Sequence, residues 1–324
     1  YFFDMQNRQN KIWNNSGMKV AVFGATGYIG SYILDSLIKK GYEPSVLVRK
    51  GSENKLSQPD KCTIVTGNIK DENSISETIT NTDSVIYNIG IIRQFPRQGI
   101  TFDELHVHSA KRTIDTALQL KVKRFILMSA NGVAPHGTEY QKTKYLAEKY
   151  LKKTDLDWTI FRPSLVFGPP RGKVEFCTQL RDELINLPLP APLFYTGLSP
   201  LHAGQFKISP IHVKNVAEFF TRSISDSSTF GECYHLGGSD DFSWKELISI
   251  IAKASGKTKL KIPTPAFIIK TLASLLDGFS WFPITRDQLN MLLKGNTCDS
   301  KEAFKKFGIK PIPFTQSNLT YLKE

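Results

Sequence analysis

The chain has 324 residues, enough for one large α/β domain and a smaller second lobe. Hydrophobic residues make up 40% and charged residues 22%, proportions that exclude a disordered chain. Lys and Arg number 42 against 30 Asp and Glu, a net charge of +12 that suits a phosphate-rich ligand, an acidic partner or an anionic membrane surface.

Residues 1–17 (YFFDMQNRQNKIWNNSG) are rich in Asn and Gln and lack the apolar core of a signal peptide, so they are expected to be an unstructured extension. From Met18 the pattern is strand, turn, helix, repeated. Lys19–Phe23 (KVAVF) predicts a buried strand, GATGYIG a turn, and Ser31–Lys40 a helix. Further strands are expected at Pro44–Val48, Cys62–Thr66, Ser84–Ile89, Arg124–Ser129 and Trp158–Arg162, with helical periodicity over Phe102–Leu120 and Tyr140–Lys153. Strands alternating with helices imply parallel βαβ units and a doubly wound sheet. The fold class expected is therefore α/β, a Rossmann-type doubly wound parallel sheet over residues 18–163. After Pro163 the rhythm breaks into a Pro-rich stretch, and residues 164–324 are expected to form a smaller α/β lobe over the carboxyl edge of the sheet. The segment Ala266–Phe282 is apolar apart from one Lys and one Asp. It reads either as a lobe helix packed on the core or, with Trp281 and Phe282 at its end, as a surface for a membrane or partner subunit.

The four cysteines, Cys62, Cys177, Cys233 and Cys298, lie far apart, which fits reduced thiols in a cytoplasmic compartment and argues against a disulfide or zinc framework. His106 and His108 are two residues apart and diverge, so no metal is expected. The basic residues are scattered and no nucleic-acid motif accompanies them, so nucleic acid is not expected as a partner. No uninterrupted apolar run is long enough to span a membrane, and any membrane association is expected to be peripheral.

The chemistry concentrates at the carboxyl ends of the strands. Gly24-Ala-Thr-Gly27-Tyr-Ile-Gly30 joins the first strand to the first helix: one glycine for the tight turn, one for approach of a pyrophosphate, one for helix–strand packing. The second strand ends at Val46-Leu-Val-Arg49-Lys50 with no carboxylate at its tip. An acid there would hold a ribose 2′-hydroxyl and repel a 2′-phosphate, whereas Arg can pair with that phosphate. NADP(H) is therefore expected in preference to NAD(H). Tyr140 and Lys144 are four apart on a helix and share a face.

GATGYIG, Arg49, Gly67-Asn68, Tyr140-Gln-Lys-Thr-Lys144 and Arg162-Pro163-Ser164 together resemble the extended or atypical short-chain dehydrogenase/reductases. Ile89-Gly-Ile-Ile-Arg93, Phe102-Asp-Glu-Leu-His106-Val107, Arg124-Phe-Ile-Leu-Met-Ser-Ala130, Phe161-Arg-Pro-Ser-Leu-Val-Phe-Gly168 and Pro283-Ile-Thr-Arg-Asp-Gln-Leu289 are similar to the NADPH-binding accessory subunits of respiratory complex I and their bacterial relatives. The resemblance implies cofactor contacts at Gly24, Thr26, Gly27, Tyr28, Ile29, Arg49, Lys50, Asn68, Ile69, Asn88, Ile89, Gly90, Tyr140, Lys144 and Pro163. It also implies Tyr140 as general acid/base, with Lys144 lowering its pKa and holding the nicotinamide ribose. The family's serine normally lies one or two positions beyond Ser129, where this chain has Ala130 and Asn131. Either Ser129 or Asn131 would have to supply that hydrogen bond, and without it a developing oxyanion loses ~3 kcal/mol of stabilisation. Lys214-Asn215, where extended members usually carry Asp, is a second departure. Two functions follow: a cofactor-stabilised structural or assembly factor of a membrane complex, and an NAD(P)H-dependent oxidoreductase or epimerase/dehydratase on a small carbonyl or nucleotide-sugar substrate.

Overall fold

The computed structural model describes residues 17–276 and 284–323. The expectations for residues 1–16, Trp281 and Phe282 lie outside the described residues. In chain order the central elements are β1 (Lys19–Phe23), α1 (Tyr28–Lys39), β2 (Glu43–Val48), β3 (Thr63–Thr66), α2 (Glu72–Ile79), β4 (Ser84–Tyr87), α3 (Ser109–Gln119), β5 (Arg124–Met128), α4 (Glu139–Leu151), β6 (Asp157–Pro163), α5 (Val213–Ser223) and β7 (Glu232–Leu236). The strands form one parallel sheet in the order β7-β6-β5-β4-β1-β2-β3. The order in which strands are added reverses between β1 and β4, which makes that junction the topological switch point where such sheets bind ligands.

The strands are short and apolar because both faces are covered, as parallel sheets require. Val20, Val22, Val46 and Ile86 face one layer with α1 and α5, and Ala21, Phe23, Val85 and Phe125 face the other with Ile75, Ile114 and Ala147 of α2, α3 and α4. Each fully buried Val, Leu, Ile or Phe contributes roughly 1.5–3 kcal/mol. The first helix begins at Tyr28, earlier than the periodicity indicates, because the glycine turn passes directly into it with Gly27 as its cap. The helix expected over Phe102–Leu120 is wound in two parts, with wider π-type turns over Asp103–His108 followed by α3. Helix α4 starts in a capping box in which Thr138 and Gln141 exchange bonds with each other's backbone.

Residues beyond Pro163 serve both lobes rather than one. β7 extends the sheet beyond β6, and α5 packs on α1 through Ser36–Thr221 and Lys40–Glu218 contacts. Arg124, 6% exposed, is the clamp: it donates to the carbonyls of Asp157, Ser223 and Ile224 and to the hydroxyls of Thr159 and Thr229. No local sequence signal reports this return, because it depends on partners a hundred residues away. The remaining lobe is built on the parallel pair Ala191–Tyr195 and Lys261–Pro265 with α6 (Trp244–Ala254), α7 (Ala266–Leu276) and α8 (Arg286–Leu293). Its core gathers Phe167, Phe194, Trp244, Leu247, Ile251 and Leu289. A last helix, α9 (Lys301–Phe307), returns Phe304 and Phe307 to Phe219 of α5.

Candidate functional site

The glycine loop sits at the switch point. Gly24 has φ +96°, and a Cβ there would lie 2.9 Å from the Asn88 carbonyl oxygen, so the β1 and β4 loops touch backbone to backbone. A Cβ on Gly30 would lie 2.0 Å from the Gly24 oxygen; only glycine lets α1 pack this close. Gly27 differs: it is exposed, and a Cβ there would meet only the Gly24 oxygen at 3.4 Å, leaving the space above the loop open. No side chain caps α1, so the first-turn N–H groups of this 12-residue helix stay directed at that space with the positive end of its dipole. An uncapped helix start above an open, glycine-lined cradle fits a pyrophosphate. Tyr28 follows at once, but its phenol is anchored by donating to the Gly168 carbonyl at 2.9 Å, which leaves its backbone N–H as the group available to a ligand.

Around this cradle the strand ends supply the rest. Arg49 and Lys50 follow β2 and are exposed, and among the described residues Arg49 has no side-chain partner. Asn68 is exposed and accepts from the Lys70 N–H, while the Ile69 side chain is buried in the core, so only its backbone borders the site. Asn88 continues β4 by donating its N–H to Phe23, and Ile89 is half-buried beside it. Gly90 is held close to Lys144: a Cβ there would lie 3.1 Å from the Lys144 Nζ.

Lys144 is 4% exposed and donates to the carbonyls of Met128 at 3.0 Å and Ile89 at 3.4 Å. Burial pulls its pKa down to about 8, opposed by the Glu148 carboxylate. The Tyr140 ring stands edge-on to Phe102 and His106, with its hydroxyl unpaired among the described residues. Burial pushes Tyr140 up to about 12. This corrects the lowering that the resemblance implies: the ammonium is directed at the two carbonyls, and desolvation of the phenol is what remains. At neutral pH Tyr140 is thus a protonated donor. His106, which the sequence offers only as part of the Phe102–Val107 motif, is 1% exposed. It accepts from the Ile91 N–H and bonds the Thr143 hydroxyl, and burial together with Lys144 pushes its pKa down to about 2, so it stays neutral.

Ser129 is not brought to Tyr140. Its hydroxyl donates to Glu148 at 2.5 Å, and Glu148 is also paired with Arg162 in a buried cluster. Asn131 is equally committed, donating to Asn296 and Thr297 and accepting at its amide oxygen from the His235 Nδ1. Glu148 was legible as a neighbour of Lys144, one turn further along α4, but its grip on Ser129 was not. Pro163, with Tyr140, Asn131 and Gln141, lines one end of a cavity of about 900 Å³ that runs from the ends of β5 and β6 into the second lobe. Among the described residues no group of three His, Cys, Asp or Glu is placed to hold a metal.

Residues 24–184 match the sequence family described as NAD(P)H-binding. Across 95% of its length the chain is 24% identical to the mitochondrial NADH-ubiquinone oxidoreductase 40 kDa subunit of Neurospora crassa, of which the match covers 79%. It is 24% identical, also over 95% of its length, to the photosystem II assembly factor Ycf39 of Synechocystis sp., of which 90% is covered. In three dimensions it superposes on a UDP-glucose 4-epimerase of Thermus thermophilus in complex with NAD at a TM-score of 0.70. That superposition covers 94% of this chain and 98% of the epimerase at 18% identity, so it speaks for the fold. With the parallel sheet in this order and the glycine cradle at its switch point, the chain has a Rossmann fold whose residues 24–184 match the NAD(P)H-binding family.

Proposed function

We propose that the protein binds NADP(H) in preference to NAD(H) and acts as a cofactor-stabilised structural or assembly factor on a membrane-bound, respiratory-type complex. The observation that carries the non-catalytic half is the engagement of Ser129 by Glu148 and of Asn131 by Asn296, Thr297 and His235. Ser129 and Asn131, the two candidate second donors, are consumed internally, so neither adds to the Tyr140 hydroxyl in stabilising a carbonyl oxygen there. The exposed Arg49 at the β2 tip supports the preference for a 2′-phosphate. A peripheral position on the complex is supported by the exposed Leu198, Leu201, Ile262 and Phe267 of the second lobe. Among the described residues no helix is long and apolar enough to cross a membrane. The Neurospora relative, named as a subunit of an oxidoreductase, is consistent with such a partner.

A second reading, an oxidoreductase or epimerase/dehydratase, is favoured by the Tyr140 hydroxyl, unpaired at the wall of a large cavity. Bound NAD(P)H would supply a hydride there. Tyr140 would donate the proton from its phenol oxygen, and Lys144 would hold the ribose hydroxyls. One preparation decides between them. NADPH at 100 times its Kd should stabilise the fold by ~2.7 kcal/mol, while no NADPH is oxidised across aldehydes, ketones and quinones. The chain should also be recovered with a complex from detergent-solubilised membranes. Steady turnover that vanishes in Tyr140→Phe would overturn the structural reading.

A further inference from the structure

The cavity is far larger than a nicotinamide needs, and its chemistry changes along its length. One end is polar, with the Tyr140 hydroxyl, Asn131, Gln141 and His136. Beyond Pro163 the walls are mostly apolar, with Leu180, Leu184, Phe194, Trp244, Ile269 and Met291 alongside Glu183, Gln288 and Lys294. At about 900 Å³ it lies near the top of the range for small-molecule sites. Its outer wall is α7, where Leu272 lines the cavity and is also 40% exposed. The surface around it is unusually apolar, with Phe267, Ile268, Ile262, Leu198 and Leu201 exposed. Exposed apolar side chains gathered in this way match the acyl layer of a bilayer surface.

We propose that this cavity holds the long aliphatic chain of a membrane lipid, with the lipid's carbonyl-bearing head at Tyr140 and the tail among Phe194, Trp244, Ile269 and Met291. The site reads polarity in the right order: a phenol that stays protonated to donate to a neutral carbonyl, then apolar walls that reward each methylene. It stands whether the chain turns over its ligand or only holds it, and it does not require the NADP(H) preference.

The test uses the full chain with cis-parinaric acid, whose fluorescence rises on burial, and displaces it with saturated primary amides of increasing length. Saturable one-to-one binding is expected, with each added methylene tightening displacement by up to about fourfold until the cavity is filled. Ile269→Trp and Met291→Trp, on separate half-buried helical positions, fill the cavity and should each weaken parinaric acid at least ~10-fold while NADPH affinity and Tm hold. NADPH is titrated into the same samples, so a chain that binds the fatty acid but not NADPH would refute the cofactor reading alone. No saturable fluorescence in the wild type, no dependence on chain length, or equal affinity in both filled variants would overturn the lipid site.

Discussion

Lys144 offers the sharpest test of the site, because its burial makes a definite pH signature. The ammonium is 4% exposed and its pKa is pulled from 10.5 to about 8 by loss of water. Below pH 8 both the native and unfolded chains carry the proton, and the native state bears the full cost of a buried charge. Between pH 8 and 10.5 the unfolded chain binds a proton that the native chain does not, so stability rises with pH; above 10.5 the cost is gone. The gap between 10.5 and about 8 corresponds to about 3 kcal/mol. Lys144→Met keeps the length and removes the charge. It also deprives the Met128 and Ile89 carbonyls of a donor, a cost of roughly 1–3 kcal/mol that does not change with pH. The informative quantity is therefore the difference between the two proteins, because Tyr140, Glu148 and the neutral His106 are common to both. Urea unfolding at several pH values should show wild-type stability gaining about 3 kcal/mol on the variant between about pH 7.5 and 10.5. A difference that stays flat over that window would refute the buried, pKa-lowered ammonium and with it the electrostatics assigned to the site.

Arg49→Ala should weaken NADPH by ~1–3 kcal/mol and leave NADH unchanged in isothermal titration, and an equal loss for both cofactors would remove the 2′-phosphate contact. Gly27→Val should fold normally yet fail to retain cofactor through gel filtration, since the new side chain enters the open cradle and its Cβ meets nothing closer than the Gly24 oxygen at 3.4 Å. Gly30→Ala should destabilise the fold itself, its Cβ falling 2.0 Å from the Gly24 oxygen; the reverse pattern by thermal melting would contradict the loop geometry. Arg124→Leu strips the donor from three buried carbonyls and should cost at least about 3 kcal/mol in urea unfolding, with a loss under about 1 kcal/mol showing that β7 and α5 dock without it.

The sequence by itself carried the order of the strands through β6, because an apolar run between turn residues and a helix of 3.6-residue period are local properties. Gly24, Gly27 and Gly30 were equally legible: their spacing encodes a backbone shape that only glycine allows. Tyr140 and Lys144 could be placed on one face from their spacing alone. What those side chains face was not local. Ser129 reads as a catalytic candidate, yet the fold turns it to Glu148 on the helix above, and Lys144 meets two carbonyls of separate strand ends rather than the phenol one turn away. The seventh strand and its clamp Arg124 needed contacts across about a hundred residues. The cavity needed more still, since its walls come from the loop after β5, the start of α4, the end of β6, the loop after Pro163, α6, α7 and α8 at once. Periodicity tells that Ile269 and Trp244 are apolar. Only the packing of the lobe against the sheet decides that they enclose a space instead of filling it.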